Sequence, residues 1–561
     1  MLEQLMTVQG EALLNSNETP WNVYPRPQMK RDSFLNLNGL WEFSCSSHKE
    51  ESSTIRVPFC PESALSGVET HFPEGDVLCY RRQFTLPEGF ARGRVLLHIG
   101  AADQKAEVFL NNVRIGKHTG GYESFTLDIT SALREENELV ILCTDNLHDK
   151  TQPYGKQVMK RGGMWYTPVS GIWQTVWLES VPERYIEKLH IENRGYAVTV
   201  SVEPKMAGKV IVPELGEFAR ENGSVTISPE NPHLWSPEDP YLYDFTVECG
   251  EDKVESYFAI RSLEIKKVDG YQKLCLNGKP YFFHGLLDQG YWPDGLFTPA
   301  APELYAEDIL AMKRLGFNTL RKHIKVEPEE FYYQCDKLGM IVFQDMVNNG
   351  VYNFFRDTAL PTVGIQRLPD KLLHRDHATR QEFLRQMETT VNQLKNHPSI
   401  CYWTIFNEGW GQFDSDAVCE IFRKLDDTRF IDTTSGWFRR NNTDVDSRHV
   451  YFRPVKLKAA DKPLVLSEFG GYTYKPEGHV FNTEETYGYG KFENIGEFAD
   501  AVEKLYLTEI LPAIDNGLCA AIYTQVSDIE DETNGILTYD RKVCKLEEKR
   551  MLAIAEALKQ N

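Results

Sequence analysis

Two glutamates in the second half of the chain stand where an apolar run gives way to glycine. Glu408 ends the run ICYWTIFNE just before Gly409, and Glu468 stands in LVLSEFGG shortly before Gly470. A carboxylate that closes a buried strand is costly unless it is paired or used. Either glutamate alone fits a structural ion pair, but together they form a pair suited to acid–base and nucleophilic chemistry.

Aromatic residues are dense around these two motifs. Sugar rings have flat C–H faces that stack on aromatic rings, and their hydroxyls then need polar partners. Any one aromatic residue is more often part of a core than of such a platform, so the residues in loops, Trp292, Trp410 and Tyr472, are better candidates than Trp403 within a strand. The aromatic residues near the motifs are Tyr291, Trp292, Trp403, Trp410, Trp437, Tyr451, Tyr472 and Tyr474.

Both glutamates belong to a region, beginning near residue 263, in which strand-like apolar runs alternate with amphipathic stretches. Eight such runs over about 300 residues are typical of a (β/α)₈ barrel. Such a barrel carries its active site at the carboxyl ends of its strands, so both glutamates are expected at one mouth. The runs are Tyr281–Leu287, Thr319–His323, Met340–Asp345, Ile400–Glu408, Ile431–Ser435, Arg448–Phe452, Leu464–Gly470 and Ala520–Val526.

The first 262 residues have a different pattern. Short alternating stretches are separated by turn signals such as Pro87-Glu88-Gly89, with no long helical period, and this predicts β-sandwiches. The stretch from about 182 to 262 has the length of an immunoglobulin-like sandwich. The predicted fold class is therefore multidomain, with β-sandwiches followed by an α/β barrel.

Composition excludes several functions. The chain has 61 Lys+Arg and 82 Asp+Glu, giving a net charge of −21 that is spread along its length. This argues against nucleic-acid binding, which needs clustered Lys and Arg. The sequence contains no apolar run of about 18 residues, so no membrane span is predicted. The first residues show no signal-peptide pattern, so a cytoplasmic location is expected.

These motifs resemble glycoside hydrolase family 2 over nearly the whole chain. LNLNGLWEF, VFLNNVRIGKHTGGYESFTLDIT and SGIWQTVWLE are similar to the family's sugar-binding jelly-roll domain. LNGKPYFFHG, GFNTLRKH, FNEGW and SEFGG are similar to its barrel. The resemblance implies a jelly roll over residues 1–181, an immunoglobulin-like sandwich over 182–262 and a catalytic barrel over 263–561.

The resemblance also implies roles for individual residues. Glu408 would be the general acid/base and Glu468 the nucleophile of a retaining glycosidase, whose two carboxyl groups lie about 5–5.5 Å apart. Asn407 would bind the sugar 2-hydroxyl, Tyr451 would contact the nucleophile, and Arg321 would lie beneath the nucleophile and keep it ionised. Further predicted substrate contacts are His284, Asp345, Trp437, Trp292 and, as a floor for the sugar, Tyr523.

No metal or organic cofactor is implied, and the acidic stretch Asp528–Glu532 is expected to be a solvated loop. The chain departs from the family at strand two, where R-x-x-H-Y-P is replaced by Arg321-Lys322-His323-Ile324-Lys325. Glucuronidases of the family bind the sugar carboxylate with Asn-x-Lys, whereas the stretch Glu532–Ile536 has no lysine. Lys475 and Lys322 remain as candidates for that contact.

The predicted function is a retaining, exo-acting β-glycosidase that hydrolyses small oligosaccharides or glycosides, with a β-galactosidase-like activity by default. β-Glucuronidase, β-mannosidase and arabinosidase activities are the alternatives within the family. A non-catalytic carbohydrate-binding protein is the alternative of another class, and the presence of both glutamates argues against it. The β-domains could also mediate formation of a homo-oligomer, which is compatible with catalysis.

Overall fold

The computed structural model describes residues 1–48, 53–362, 365 and 369–560. The chain forms two antiparallel β-sandwiches followed by a parallel (β/α)₈ barrel, which confirms the predicted fold class. No helix in these described ranges is both long and apolar enough to cross a membrane.

The first sandwich contains a six-stranded sheet, in the order β3-β2-β4-β10-β7-β8, and a four-stranded sheet, β1-β12-β5-β9. Strand β10 alternates strictly between buried and half-buried positions, as expected of a strand with one face on a core. Strands β1 to β12 are Leu35–Asn36, Gly39–Cys45, Ser53–Val57, Leu78–Phe84, Arg94–Ile99, Ala102–Asp103, Lys105–Leu110, Val113–Thr119, Phe125–Asp128, Asn137–Thr144, Gly171–Ile172 and Val176–Val181.

The second sandwich packs a three-stranded sheet, β13-β14-β17, against a four-stranded sheet, β16-β15-β18-β19. Its core is built from the alternate residues of these strands, such as Val198, Val200 and Val247. Strands β13 to β19 are Lys188–Arg194, Ala197–Glu203, Gly208–Val212, Gly216–Arg220, Ser224–Ile227, Tyr243–Cys249 and Asp252–Phe258.

The barrel sheet has the order β27-β26-β25-β24-β23-β32-β29-β28, and every pairing in it is parallel. All eight predicted runs become strands of this sheet. A hairpin of β20 and β21 precedes it. Strands β20 to β32 are Leu263–Val268, Tyr271–Leu276, Lys279–Pro280, Phe283–Asp288, Thr319–Lys322, Ile341–Asp345, Ile400–Asn407, Phe430–Ser435, Asp446–Val450, Leu464–Gly470, Tyr472–Thr473, Gly490–Lys491 and Leu518–Thr524.

The helices bury one apolar face against the outside of the barrel. Helix α5 shows the spacing, with Phe383, Met387, Val391 and Leu394 buried, and Asp376 accepts a hydrogen bond from Thr379 N at its start. No helix lies between Phe430 and Gly470, a stretch that is described throughout, and loops follow strands five and six. Helices α1 to α9 are Val8–Leu14, Glu303–Arg314, Glu329–Leu338, Leu360–Thr362, His377–Leu394, Ser415–Leu425, Ile495–Leu505, Leu511–Ile514 and Glu548–Gln560.

A buried arginine joins the two sandwiches. Arg31 donates to both oxygens of Asp252 at 2.8 Å, and to Glu179 at 3.1 Å and the Ile186 carbonyl at 2.8 Å. Glu179 lies on β12 and Asp252 on β19, and the side chains of the three charged residues are at most 4% exposed. A guanidinium held on both sides in this way fixes the first sandwich against the second.

Replacing this arginine should destabilise the protein markedly. Arg31→Met leaves two buried carboxylates short of a partner, and we expect a loss of about 3–5 kcal/mol in the free energy of unfolding, measured by urea denaturation. The matched control is Arg92→Met, whose partner Asp32 is 76% exposed, and it should cost less than about 1 kcal/mol. Equal losses of unfolding free energy in both variants would contradict the role of Arg31 in joining the two sandwiches.

Candidate active site

The two glutamates lie at the carboxyl ends of β26 and β29. Glu468 is inside β29 with its side chain 7% exposed, whereas Glu408 follows β26 with its side chain 25% exposed. Glu408 has a φ of +51°, a left-handed conformation that turns the chain sharply at the end of the strand. One carboxylate, nearly buried, therefore stands beside another that faces the open mouth.

His449, on β28, lies between the two carboxylates. Its Nδ1 is 2.7 Å from an oxygen of Glu408 and 3.5 Å from an oxygen of Glu468, and its Nε2 is 2.9 Å from Ser435 Oγ. One ligand atom from each of these three ionisable residues lies within 4.8 Å of the other two. This short separation fits the geometry of retaining glycosidases, about 5–5.5 Å, better than the inverting one, about 6.5–9.5 Å.

A single arginine organises the floor of the site. Arg321, on β24 and 1% exposed, donates from Nη1 to Glu468 and from Nη2 to Asn407, at 3.0 and 2.9 Å. Its other N–H groups form a bidentate pair with Asp345 at 3.0 Å each. His323 Nδ1 is 2.7 Å from the same Asp345 carboxylate. The guanidinium thus contacts residues of four strands besides its own, since Nη1 also lies 3.4 Å from His449 Nε2.

Tyr451 approaches Glu468 from the other side. Its hydroxyl donates to Glu468 Oε2 at 2.7 Å and lies 2.8 Å from Thr524 Oγ1, while its ring stacks on Tyr489 at 4.2 Å. Both oxygens of Glu468 are therefore hydrogen-bonded, one to Arg321 and one to Tyr451. Such bonds hold a carboxylate in one orientation and favour its ionised form.

The electrostatics of the site favour an ionised Glu468. Burial alone raises the pKa of its carboxyl, but His449, Arg321 and His323 together with the Tyr451 hydrogen bond outweigh burial and lower the pKa to about 2. Glu468 is therefore a carboxylate near neutral pH, the form that a nucleophile needs.

The structure brings together most, but not all, of the predicted site residues. Glu408, Glu468, Asn407, Tyr451 and Arg321 form one hydrogen-bonded cluster around His449. The half-buried Trp437 lies at its edge, with its ring 5.6 Å from that of His449. Asp345 belongs to the cluster, but it is 1% exposed and both its oxygens are bound by Arg321 or His323. In the structure Asp345 holds the arginine, and its contact with the sugar stays a prediction.

Three predicted contacts face away from the site. His284 packs on Phe317 at 4.2 Å and its Nδ1 is 3.1 Å from the Gly316 carbonyl oxygen, on the helix side of the barrel. Tyr523 likewise packs against Phe469 at 5.5 Å. Successive side chains of a strand point to opposite faces of the sheet. His284 and Tyr523 occupy the outward positions of their strands, next to residues that point into the barrel.

Trp292 is also buried away from the two carboxylates. It is 2% exposed, beneath the Arg541 guanidinium at 4.0 Å and against Tyr305 at 6.1 Å. It therefore belongs to the core and not to a sugar platform.

The acidic stretch 528–532 is not a solvated loop, because its members are at most 7% exposed. Asp528 pairs with Lys545 at 2.7 Å and Asp531 with Arg161 at 3.0 Å. Glu532 accepts hydrogen bonds from the Tyr166 hydroxyl, from Gln289 and from Asn534. The expectation failed because two of the partners, Arg161 and Tyr166, are remote in sequence, and Arg161 stands 370 residues from Asp531.

Sequence reasoning missed His449, and although it expected the β-domains to wall the barrel mouth, it did not identify the loop that does so. His449 stands two residues before Tyr451, so the period of two would have placed both side chains on one face of a strand. The loop from 151 to 167 of the first sandwich lies over the mouth, where Trp165 packs on Trp410 and Tyr352 at 5.3 and 4.9 Å. Nothing in the local sequence signals this contact.

Family models match three parts of the chain. "Glycosyl hydrolases family 2, TIM barrel domain" matches residues 265–545, "Glycosyl hydrolases family 2" matches 188–261, and "Glycosyl hydrolase 2 galactose-binding domain-like" matches 66–165.

Relatives with named activities are distant. A β-glucuronidase of Bacteroides fragilis is 24% identical over 81% of this chain and 68% of its own length. A β-galactosidase of Thermoanaerobacter pseudethanolicus is 25% identical over 75% of this chain, which spans 55% of that enzyme. The structure of a β-D-glucuronidase of Dictyoglomus thermophilum matches with a TM-score of 0.74 at 19% identity, covering 96% of this chain and 99% of that one.

The lowered pKa of Glu468 predicts how stability depends on pH. A carboxyl whose pKa falls on folding, here from 4.5 to about 2, stabilises the folded state above the unfolded pKa and loses that contribution as the pH falls toward the folded one. The stability of the wild type relative to Glu468→Gln should therefore be constant above about pH 5 and decline from there toward pH 2. Urea denaturation at several pH values measures it.

The matched control is Glu251→Gln, which removes an exposed carboxylate far from the barrel mouth. A difference between wild type and Glu468→Gln that stays the same from pH 7 to pH 3 would contradict the electrostatic account of this carboxylate.

Proposed function

Since this chain belongs to glycoside hydrolase family 2, we propose that it is a retaining, exo-acting β-glycosidase that uses Glu468 as nucleophile and Glu408 as acid/base. The observation that carries the proposal is the pairing of a buried, ionised Glu468 with an oxygen of Glu408 within 4.8 Å. Two carboxyl groups at this spacing, one buried and ionised and one partly exposed at the mouth, fit the geometry of a double displacement.

In the first step an oxygen of Glu468 bonds to the anomeric carbon as the bond from that carbon to the aglycone oxygen breaks. Glu408 gives its proton to the departing oxygen, so the aglycone leaves as an alcohol. Arg321 and Tyr451 hold the attacking carboxylate in place, and the Asn407 amide, whose oxygen is bound to Arg321, is available to donate to the sugar 2-hydroxyl.

In the second step Glu408, now a carboxylate, takes a proton from water. The hydroxide formed bonds to the anomeric carbon, and Glu468 leaves as a carboxylate, so both glutamates return to their starting states. The two displacements together retain the configuration of the sugar. The loop 151–167, which covers part of the mouth, supports cleavage of a terminal residue and not attack within a long chain.

The relatives bear on the choice of sugar. One named above is a β-galactosidase, which supports the neutral β-hexoside expected from the sequence. β-Glucuronidases predominate, however, including the enzymes of Bacteroides fragilis and Paenibacillus borealis. We therefore place the β-glucuronide alternative ahead of the β-galactoside. The non-catalytic alternative has less support, because the cluster around Glu468 is hydrogen-bonded as a nucleophile needs.

Removal of the nucleophile should abolish turnover. Glu468→Gln cannot form the ester, and we expect nitrophenyl β-glycoside hydrolysis to fall about 10³-fold or more while the circular dichroism spectrum is unchanged. The control is Glu251→Gln, with wild-type activity. Near-normal hydrolysis by Glu468→Gln would refute the assignment of the nucleophile.

Removal of the acid/base should give an effect that depends on the leaving group. Glu408→Ala should lower kcat/KM about 10²- to 10⁴-fold for alkyl glycosides and far less for dinitrophenyl glycosides, because an acidic phenol leaves without a proton donor. The ratio of the two rates in wild type and variant is the measurement. An equal loss for both leaving groups would show that Glu408 is not the acid.

A further inference from the structure

A glycoside of a uronic acid brings a carboxylate into the pocket, and its recognition needs a cation that the protein has not already used. The candidates named from the sequence are used. Lys322 is 1% exposed between Asp288 and Glu327, at 2.7 and 2.9 Å. Lys475 donates to three backbone carbonyls. A further cation that the structure brings near the mouth, Arg161, is bound to Asp531.

The loop 151–167 of the first sandwich brings another lysine, Lys156, to the mouth. The two residues before it are fixed on the barrel, since the N–H groups of Tyr154 and Gly155 both donate to the Asn348 carbonyl, at 3.1 and 3.3 Å. A Cβ on Gly155 would stand 3.1 Å from the carbonyl oxygen of Ile324, so the loop lies directly on the residue that follows His323.

The backbone of Lys156 is held as firmly. Its carbonyl accepts a hydrogen bond from Tyr166 N at 3.0 Å, and the next residue, the fully buried Gln157, is bound to Asp103 and Tyr122. Lys156 therefore projects from a backbone that is held in place, which reduces the conformational entropy lost when a ligand binds.

Lys156 is a half-buried residue, and within the described part of the chain its ammonium group forms no ion pair or side-chain hydrogen bond. Burial lowers the pKa of His323, and the charge of Lys156 adds to that lowering, against Asp345 and Glu468. The charge of Lys156 therefore reaches His323, whose own charge acts on the Glu468 carboxylate.

We infer that Lys156 binds the carboxylate of a uronic-acid glycone, which makes this site selective for β-glucuronides or β-galacturonides. The inference rests on the proposed function. An ammonium without a counter-ion is free to pair with a carboxylate, which supplies both the opposite charge and the acceptor, whereas a hydroxyl supplies only an acceptor.

The test compares nitrophenyl β-glucuronide and β-galacturonide with β-glucoside and β-galactoside. For the wild type we expect a higher kcat/KM on a uronide than on its neutral counterpart. Lys156→Met should lower kcat/KM on the uronide about 10- to 100-fold, mainly through KM, and change the neutral substrates less than threefold. Lys156→Arg should retain most of the uronide activity, and the control Lys160→Met, which removes an exposed lysine of the same loop, should behave as wild type.

Failure of this inference is distinguishable from failure of the proposed function. Preference of the wild type for neutral glycosides, or an equal effect of Lys156→Met on both classes, would overturn the role of Lys156 and leave the glycosidase standing. If wild type and Glu468→Gln were equally inactive on every glycoside, the proposed function would fail. The role of Lys156 could then still be tested by calorimetry, with glucuronate and glucose as ligands and with Glu468→Gln alone or combined with Lys156→Met as the protein. A glucuronate affinity that does not depend on Lys156 would refute the inference.

Discussion

The site depends on one buried guanidinium. Arg321 is 1% exposed and contacts Glu468, Asn407 and Asp345, which lie on β29, β26 and β25. Without it two carboxylates would be buried with much of their counter-charge removed, which proteins rarely tolerate. Because the arginine is held bidentately by Asp345, and Asp345 in turn by His323, its Nη1 has one direction in which to point. It points toward Glu468.

The same interaction separates the two glutamates chemically. Glu468 has Arg321 and Tyr451 on its two oxygens, whereas Glu408 is more exposed and contacts His449 at 2.7 Å. The barrel thereby places an ionised carboxylate at its floor and a more exposed carboxyl group at its rim. An arrangement of this kind needs strands of fixed register, and the parallel sheet supplies it.

Much of this could be predicted from the sequence, because strand ends are visible as apolar runs that meet glycine. This located Glu408 and Glu468, and the motif resemblance located Arg321 and Tyr451. The sequence pattern did not show to which face of its strand each side chain points, so His284 and Tyr523 were assigned to the wrong side of the barrel sheet. Contacts between domains were also out of reach, since Arg161 and Tyr166 meet the 528–532 segment from more than 360 residues away. A lysine such as Lys156, in a loop without a motif, becomes a candidate only when the sandwich is seen on the barrel.

The central claim is that Glu468 forms a covalent bond to the sugar, and trapping that intermediate tests it most directly. A dinitrophenyl 2-deoxy-2-fluoro-β-glycoside slows the second step more than the first, so the ester accumulates. Mass spectrometry of the intact and digested protein should show one added fluorosugar, on the peptide that contains Glu468, and none with Glu468→Gln. A label on another residue, or turnover that inverts the anomeric configuration without any label, would contradict the account.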